Sequence, residues 1–136
     1  MFKLTIALPE EIAFEGEVEI LNIVTSEGQV GIMAGHVPIV DVVKAGVLTF
    51  KDETGSYKKM AVSGGWLFVW NTEVTVYVNS SEFDYEIDIE EAMRQKAEAE
   101  AELNDAVKDG SDAIKQAHAK AALEKAINRI NVGSKR

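Results

Sequence analysis

The chain has 136 residues, 46% of them hydrophobic and 27% charged, with a formal net charge of −9. This is enough for one domain, or one compact domain with a small appendage, and it is an ordinary globular composition. The acidic balance argues against general nucleic-acid binding, which needs a basic surface. The lack of cysteine excludes a disulfide framework, a thiolate metal site and a cysteine nucleophile, and fits a reducing compartment.

The start, MFKLTIALPEE, is too short and too alternating for a signal peptide. No run approaches the ~18 apolar residues of a transmembrane helix, so a soluble, cytoplasmic chain is expected. Phe2, Leu4, Ile6 and Leu8 share one face of a strand. VEILNIVT (18–25) is rich in β-branched residues and apolar on both faces. SEGQVGIMAGHVP follows, with three glycines. A phosphate loop needs a helix after its glycines, so that backbone N–H groups and the helix dipole face the anion. Here Gly28, Gly31 and Gly35 lead into HVPIVDVV, which is β-like, and Pro38 biases Val37 away from helix. A chain of tight turns between short strands is therefore expected, with glycine supplying positive φ.

A turn at Ala45-Gly46 precedes VLTF, and DETGS precedes YKKMAV. Ser63-Gly64-Gly65 reads as a bend or bulge where backbones pass closely. WLFVW (66–70) is a continuous apolar run, as expected of a strand buried on both sides. Asn71-Thr72 turns the chain into Val74, Val76 and Val78. Roughly one strand every 8–12 residues is the rhythm of a β-sandwich or barrel.

After residue 87 the style changes to Ala, Glu, Lys and Gln, which are good helix formers. Asp88 has N-cap spacing to Glu91, whose side chain is expected to reach back to the cap; Glu90 and Glu91 suit the positive end of the helix dipole. Ile89, Ala92, Ala99, Leu103 and Ala106 form one stripe, with Lys96 in its gap. Gly110 suits a helix end and Ser111 the next N-cap. A second stripe holds Ala119, Leu123, Ala126 and Ile130, flanked by Ile114 and Ile127. Two antiparallel helices are predicted.

Residues 89–132 hold eleven alanines but only nine Ile, Leu, Val or Met. A buried methyl contributes about 0.8 kcal/mol, while ordering a residue costs about 1–2 kcal/mol. The hairpin is thus marginal by itself. Two readings remain: an element that detaches and repacks, or one permanently docked. Charge is uneven, at −7 over residues 1–84, −6 over 85–110 and +4 over 111–136.

Catalytic groups are sparse. His36 and His118 fall in different parts, and no His/Asp/Glu spacing suits a metal. Ser63, His36 and Asp41 make a nominal triad of a kind that any chain this long permits.

Taken together, SEGQVGIMAGHVPIV, AVSGGWLFVWNTEVTVYV, IDIEEA and ALEKAINRINV, in this order, resemble the epsilon subunit of bacterial and chloroplast F-type ATP synthases over essentially the whole length. The resemblance implies a β + α fold: a β-sandwich of about ten strands (1–85), then an antiparallel two-helix hairpin (86–136). It implies a non-catalytic subunit of the rotor, or central stalk. The sandwich would bind the gamma subunit and the c-ring, and the movable hairpin would reach the alpha and beta subunits and inhibit ATP hydrolysis. Such a chain would be monomeric when isolated. It would sit at the cytoplasmic face of the cell membrane without inserting, and would bind no nucleic acid and no metal.

On that resemblance Glu27, Gly28, Gln29, Val30 and His36 would meet the c-ring, and Lys115, Lys120, Lys125 and Arg129 would face the catalytic beta subunit. Exposed pairs give only ~0–1 kcal/mol each, so several would act together. Some members bind ATP through an [IL]-D-x-x-R-A motif and basic residues of the last helix. Here Ile87, Asp88 and Ala92 match that motif but Glu91 stands at the arginine; Lys125 and Arg129 match the basic positions and Arg94 lies one turn on. Glutamate presents a like charge to phosphate, so weak or absent ATP binding is expected, with no cofactor. The alternative function is a soluble ligand sensor in which a small molecule locks the hairpin on the sandwich; an enzyme is the third reading.

Overall fold

The expected strands and helices are both present in the computed structural model, which describes residues 1–110 and 113–134; the Ser111 cap lies outside the described residues. By backbone contact the chain divides into two units, residues 1–83 and residues from 84 onward. The expected 85/86 division falls inside a 3₁₀ turn, Asp84–Glu86, that belongs with the helices.

The first unit holds nine strands among the described residues: β1 (Phe2–Ala7), β2 (Ile12–Thr25), β3 (Gly28–Met33), β4 (Ile39–Val43), β5 (Gly46–Asp52), β6 (Tyr57–Val62), β7 (Gly65–Trp70), β8 (Glu73–Val78) and β9 (Ser81–Phe83). One layer runs β1-β8-β7-β4. The other is built on β2, with β3 and β5 beside it, then β6 and β9. β2 is long enough to serve both. Its first half pairs antiparallel with β1, from Phe2↔Val18 to Ala7↔Ile12. Its second half pairs with β5 and β3, and its end meets β4 at Thr25↔Val43. β1 and β8 run parallel, Leu4 opposite Val74 and Ile6 opposite Val76.

A register shift between Val18 and Ile20 changes which side chains face inward. Phe14 and Val18 point to the core before it, Leu21, Ile23 and Thr25 after it. A bulge adds one residue and so inverts the period-2 alternation. This is why 18–25 reads as apolar on both faces. Phe2, Leu4, Ile6, Leu48, Phe50, Met60, Leu67, Val69, Val74 and Val76 are among the other core residues, and Phe14 leans on Phe50 with ring centroids 4.4 Å apart.

β7 corrects one expectation. Leu67 and Val69 are buried, but Trp66, Phe68 and Trp70 are exposed, so the WLFVW run is not buried on both sides. A sandwich strand has one core to face, and period-2 geometry sends the alternate side chains outward.

The turns form as their residues dictate. Asp52 Oδ1 accepts from the backbone N–H of Thr54 and Ser56 at 2.9 and 3.0 Å, and Asn71 takes a left-handed φ of 59°. The close approach expected at Ser63-Gly64-Gly65 is found. A Cβ on Gly65 would lie 1.8 Å from the Tyr77 carbonyl oxygen, and one on Gly64 3.2 Å from that of Val43.

The second unit is the 3₁₀ turn, α1 (Ile89–Lys108) and α2 (Ala113–Ser134). Asp88 caps α1, accepting from the Glu91 N–H at 3.1 Å. The predicted stripes hold: Ala92, Ala99 and Ala106 of α1 and Ala119 and Ala126 of α2 are buried, with Leu123 and Ile130 half-buried. Ile114 is 82% exposed and outside the stripe. Near the end of α2, Gly133 lets the helix lie against Ile87 and Ile89; a Cβ there would meet Ile89 Cδ1 at 2.5 Å.

Gly65→Ala is expected to lower the unfolding free energy by about 3 kcal/mol or more, since rigid backbone blocks the added methyl. Gly64→Ala should cost clearly less. Urea titrations of both variants check this, and equal losses would contradict it.

Candidate functional site

The glycine-rich stretch is a β2–β3 hairpin followed by a turn. Ser26 and Glu27 form its tip, with Thr25 opposite Gly28. Thr25 Oγ1 accepts from the Glu27 N–H at 3.1 Å and donates to the Gly28 carbonyl at 3.2 Å. Gly28 takes φ 101°, open to glycine with little strain. Glu27, Gly28 and Gln29 are exposed, whereas Val30 leans on the core. His36 begins after a turn closed by its N–H to the Met33 carbonyl at 3.2 Å. Its Nδ1 lies 2.8 Å from the Val37 carbonyl. A carbonyl only accepts, so Nδ1 carries the proton.

The Ser26 hydroxyl donates to Asp41 Oδ1 at 2.5 Å, and the Val42 N–H donates to the same oxygen at 2.7 Å. These bonds, the serine's first, hold the Asp41 carboxyl below its ordinary value. They tie the hairpin tip to β4. Ser63 is engaged elsewhere, with the Ser80 backbone. The nominal Ser63, His36 and Asp41 triad is therefore not assembled.

The outer face of β4-β7-β8 is largely apolar. Val42, Trp66 and Tyr77 stand in one cross-strand row, and Val40, Phe68 and Thr75 in the next. Trp66 is 51% and Trp70 70% exposed. Phe68 and Tyr77 meet edge to face, centroids 5.6 Å apart. The other layer is solvated in the usual way: Asn22 donates to Thr49 at 3.3 Å, and Lys51 pairs with Glu19 at 3.3 Å. A contiguous aromatic face on an acidic protein is the mark of a docking surface. The sequence reading did not find it; the signal was the surplus of apolar side chains in WLFVW and IVDVV over what one core can take.

A shallow groove of about 260 Å³ borders this face, lined by Ala7, Leu8, Pro9, Gly64, Gly65, Trp66, Tyr77, Val78 and Asn79. It holds no carboxylate, imidazole or cation. Among the described residues no three His, Asp or Glu come together to hold a metal, and no helix is long and apolar enough to cross a membrane.

In the helical unit Arg129 is 8% exposed and, with Thr25, makes up the buried polar side chains among the described residues. Its Nη1 donates to Gln95 Oε1 at 2.7 Å and Glu91 Oε1 at 3.3 Å. Glu91 therefore does not reach back to its cap as expected. The guanidinium offers a charge-assisted bond, stronger than that of a neutral backbone N–H. Ile87 and Ala92 are buried, while Asp88 and Arg94 lie at the surface. Lys115, Lys120 and Lys125 are exposed. At about 100° per residue, Lys125 and Arg129 lie about 40° apart around α2, and Lys120 is about 140° from Lys115. The four basic residues do not share one face.

These features define a two-unit protein: a β-sandwich with an apolar outer face, and a helical hairpin. The comparisons agree. Residues 1–84 match the model of the ATP synthase delta/epsilon chain beta-sandwich domain, and residues 86–133 that of its long alpha-helix domain. The chain is 37% identical over 134 residues to the ATP synthase epsilon chain of Syntrophomonas wolfei, covering 98% of this chain and 95% of that one. It is 34% identical over 133 residues to that of Bacillus pumilus, covering 98% and 97%. A chain in the cryo-EM structure of the Euglena gracilis mitochondrial ATP synthase, comprising OSCP, F1 and c-ring, is similar with a TM-score of 0.79 at 25% identity, over 98% of this chain and 80% of that one. A chain of the Tetrahymena thermophila central stalk and c-ring shares the fold, with a TM-score of 0.60 at 16% identity over 96% and 95%. The chain belongs to the ATP synthase delta/epsilon chain family. The relatives from Syntrophomonas wolfei and Bacillus pumilus are ATP synthase epsilon chains, a non-catalytic subunit of that complex.

Trp66→Thr and Trp70→Thr are expected to change the unfolding free energy by less than about 0.5 kcal/mol each, against about 2–5 kcal/mol for Leu67→Ala on the same strand. Urea unfolding of the three variants measures this. A large loss at either tryptophan would show that the outer face is covered within the chain.

Proposed function

We propose that this protein is the epsilon-type subunit of the ATP synthase central stalk, with gamma on its aromatic sheet face, the c-ring at its hairpin tip, and the helices as a brake on ATP hydrolysis. The observation that carries the reading is the exposed Val40, Val42, Trp66, Phe68, Trp70 and Tyr77 face on a chain matched end to end by the family's two domains. Aromatic side chains are frequent anchors of stable interfaces. Glu27, Gly28 and Gln29 are available to polar loops of a c-ring, with His36 just beyond. Such a subunit works at the cytoplasmic face of the cell membrane, held there by the complex.

The basic residues Lys115, Lys120 and Lys125, with Arg129 once α1 and α2 separate, would meet the acidic surface of a catalytic subunit. This chain takes up ATP weakly or not at all, because Arg129 is engaged by Glu91 and Gln95 and a phosphate would meet the Glu91 carboxylate.

Two experiments test the proposal. Full-length chain, residues 1–85, and a Trp66→Thr/Trp70→Thr variant are titrated into the matching epsilon-free catalytic complex. The full chain should bind and inhibit hydrolysis. Residues 1–85 should bind without inhibiting, and the tryptophan variant should bind on the order of 30-fold or more weaker. Inhibition by residues 1–85 would remove the brake from the helices, and unchanged binding by the tryptophan variant would move gamma off this face. Isothermal calorimetry with ATP should give no dissociation constant at or below about 1 mM; tight binding would reject the account of Glu91.

A further inference from the structure

We infer that Arg129, Glu91 and Gln95 form a ligand-free clasp that holds α1 and α2 closed, α1 supplying from within the chain an anion for the buried guanidinium of α2. The inference concerns the helical unit itself and stands whether or not that unit acts as a brake.

The interface between the helices is poor in large buried side chains. Its fully buried positions are mostly small and spaced by seven, Ala92, Ala99 and Ala106 on one helix and Ala119, Ala126 and Gly133 on the other, with Val132 also buried and Leu103, Leu123 and Ile130 half-buried. Small residues allow close approach but contribute only about 0.8 kcal/mol per methyl. Into this stripe the structure sets a guanidinium that is 8% exposed. A buried charge without a partner is strongly unfavourable. Arg129 has an anion and a neutral acceptor, both from α1 and one turn apart. Gln95 Oε1 accepts at 2.7 Å and Glu91 Oε1 at 3.3 Å, and Gln95 Nε2 lies 3.4 Å from the same Glu91 oxygen. The positions, 91 and 95, are i and i+4, so they present together on one face of α1. Glu91 is also anchored from behind, its own N–H bonded to the Asp88 cap. The first turn of α1 therefore aims this carboxylate at α2.

The physics makes the clasp conditional. Opened, Arg129 and Glu91 are both hydrated and lose little. Closed, the guanidinium is 8% exposed and the Glu91 carboxylate gives it a charged partner from α1. Removing Glu91 alone should thus penalise the closed state, whereas removing both charges should not, because an apolar side chain of similar length suits a dry helix interface at least as well.

A double-mutant cycle on the full chain tests this. The chain has no cysteine, so spin labels at Glu98→Cys and Ala122→Cys, both exposed sites, report the separation of α1 and α2. Amide hydrogen exchange reports their opening, with the core strands as internal control. Glu91→Ala with Arg129 present should broaden the label distance distribution to longer values and speed exchange in both helices by on the order of tenfold or more. In an Arg129→Met background the same Glu91→Ala change should alter exchange by less than about threefold. Equal effects of Glu91→Ala in both backgrounds, or none in either, would overturn the clasp and leave Glu91 as a helix-start residue only. Should Glu91→Ala with Arg129 present also release the core strands, Glu91→Gln, which keeps the shape and removes the charge, is carried through the same cycle and decides on the same criterion.

Discussion

The sandwich depends on one strand serving two layers. β2 is 14 residues long and pairs with β1, β3, β4 and β5. A strand that leaves one sheet for another must rotate its inward face, and the shift between Val18 and Ile20 does this by adding one residue to the alternation. Without it Leu21, Ile23 and Thr25 would point to water, and the core would lose the side chains that hold the two layers together. The hairpin tip, the Asp41 contact to Ser26 and the start of the apolar face all lie at or beyond the end of this strand, so its geometry places them.

The two units answer opposite requirements. The sandwich is built on large apolar side chains from strands distant in sequence, and backbone contacts as tight as that of Gly65 against Tyr77 leave it little freedom. The hairpin is built on an alanine-rich stripe with half-buried Leu103, Leu123 and Ile130, and on a buried arginine paired with a part-exposed glutamate. A subunit that rides on a rotor needs the first property in the part that stays attached. The proposed brake needs the second, because an interface of small side chains can be exchanged for another at modest cost. The same contrast separates the two sheet faces. Exposed aromatic groups carry a standing penalty in water that only a partner removes, whereas Lys51, Glu19, Asn22 and Thr49 are satisfied as they stand.

Glutamate at position 91 shows how one residue changes the meaning of a motif. At the start of a helix it suits the dipole and the cap, and that local account is complete in itself. In three dimensions the side chain turns to Arg129, 38 residues away. An acidic residue in this place gives the buried guanidinium an anion from within the chain.

The sequence by itself determined the succession of strands, the two helices, the cap at Asp88, the small-residue stripes, the close approach at Gly64-Gly65 and the family. All of these rest on local geometry: period 2 against period 3.6, the special backbone of glycine, and the reach of a side chain to the next turn. It did not determine which side of β7 faces the core, nor the parity change in β2, nor the partner of Glu91. Alternation says that neighbouring residues point opposite ways, but when both sets are apolar it does not say which set is covered. Only the pairing of β7 between β4 and β8 decided that Leu67 and Val69 go inward and the tryptophans outward. The packing of α1 on α2 likewise chose between a backbone amide and a guanidinium for Glu91, because a charged donor from a distant turn outcompetes a neutral one nearby once both are within reach.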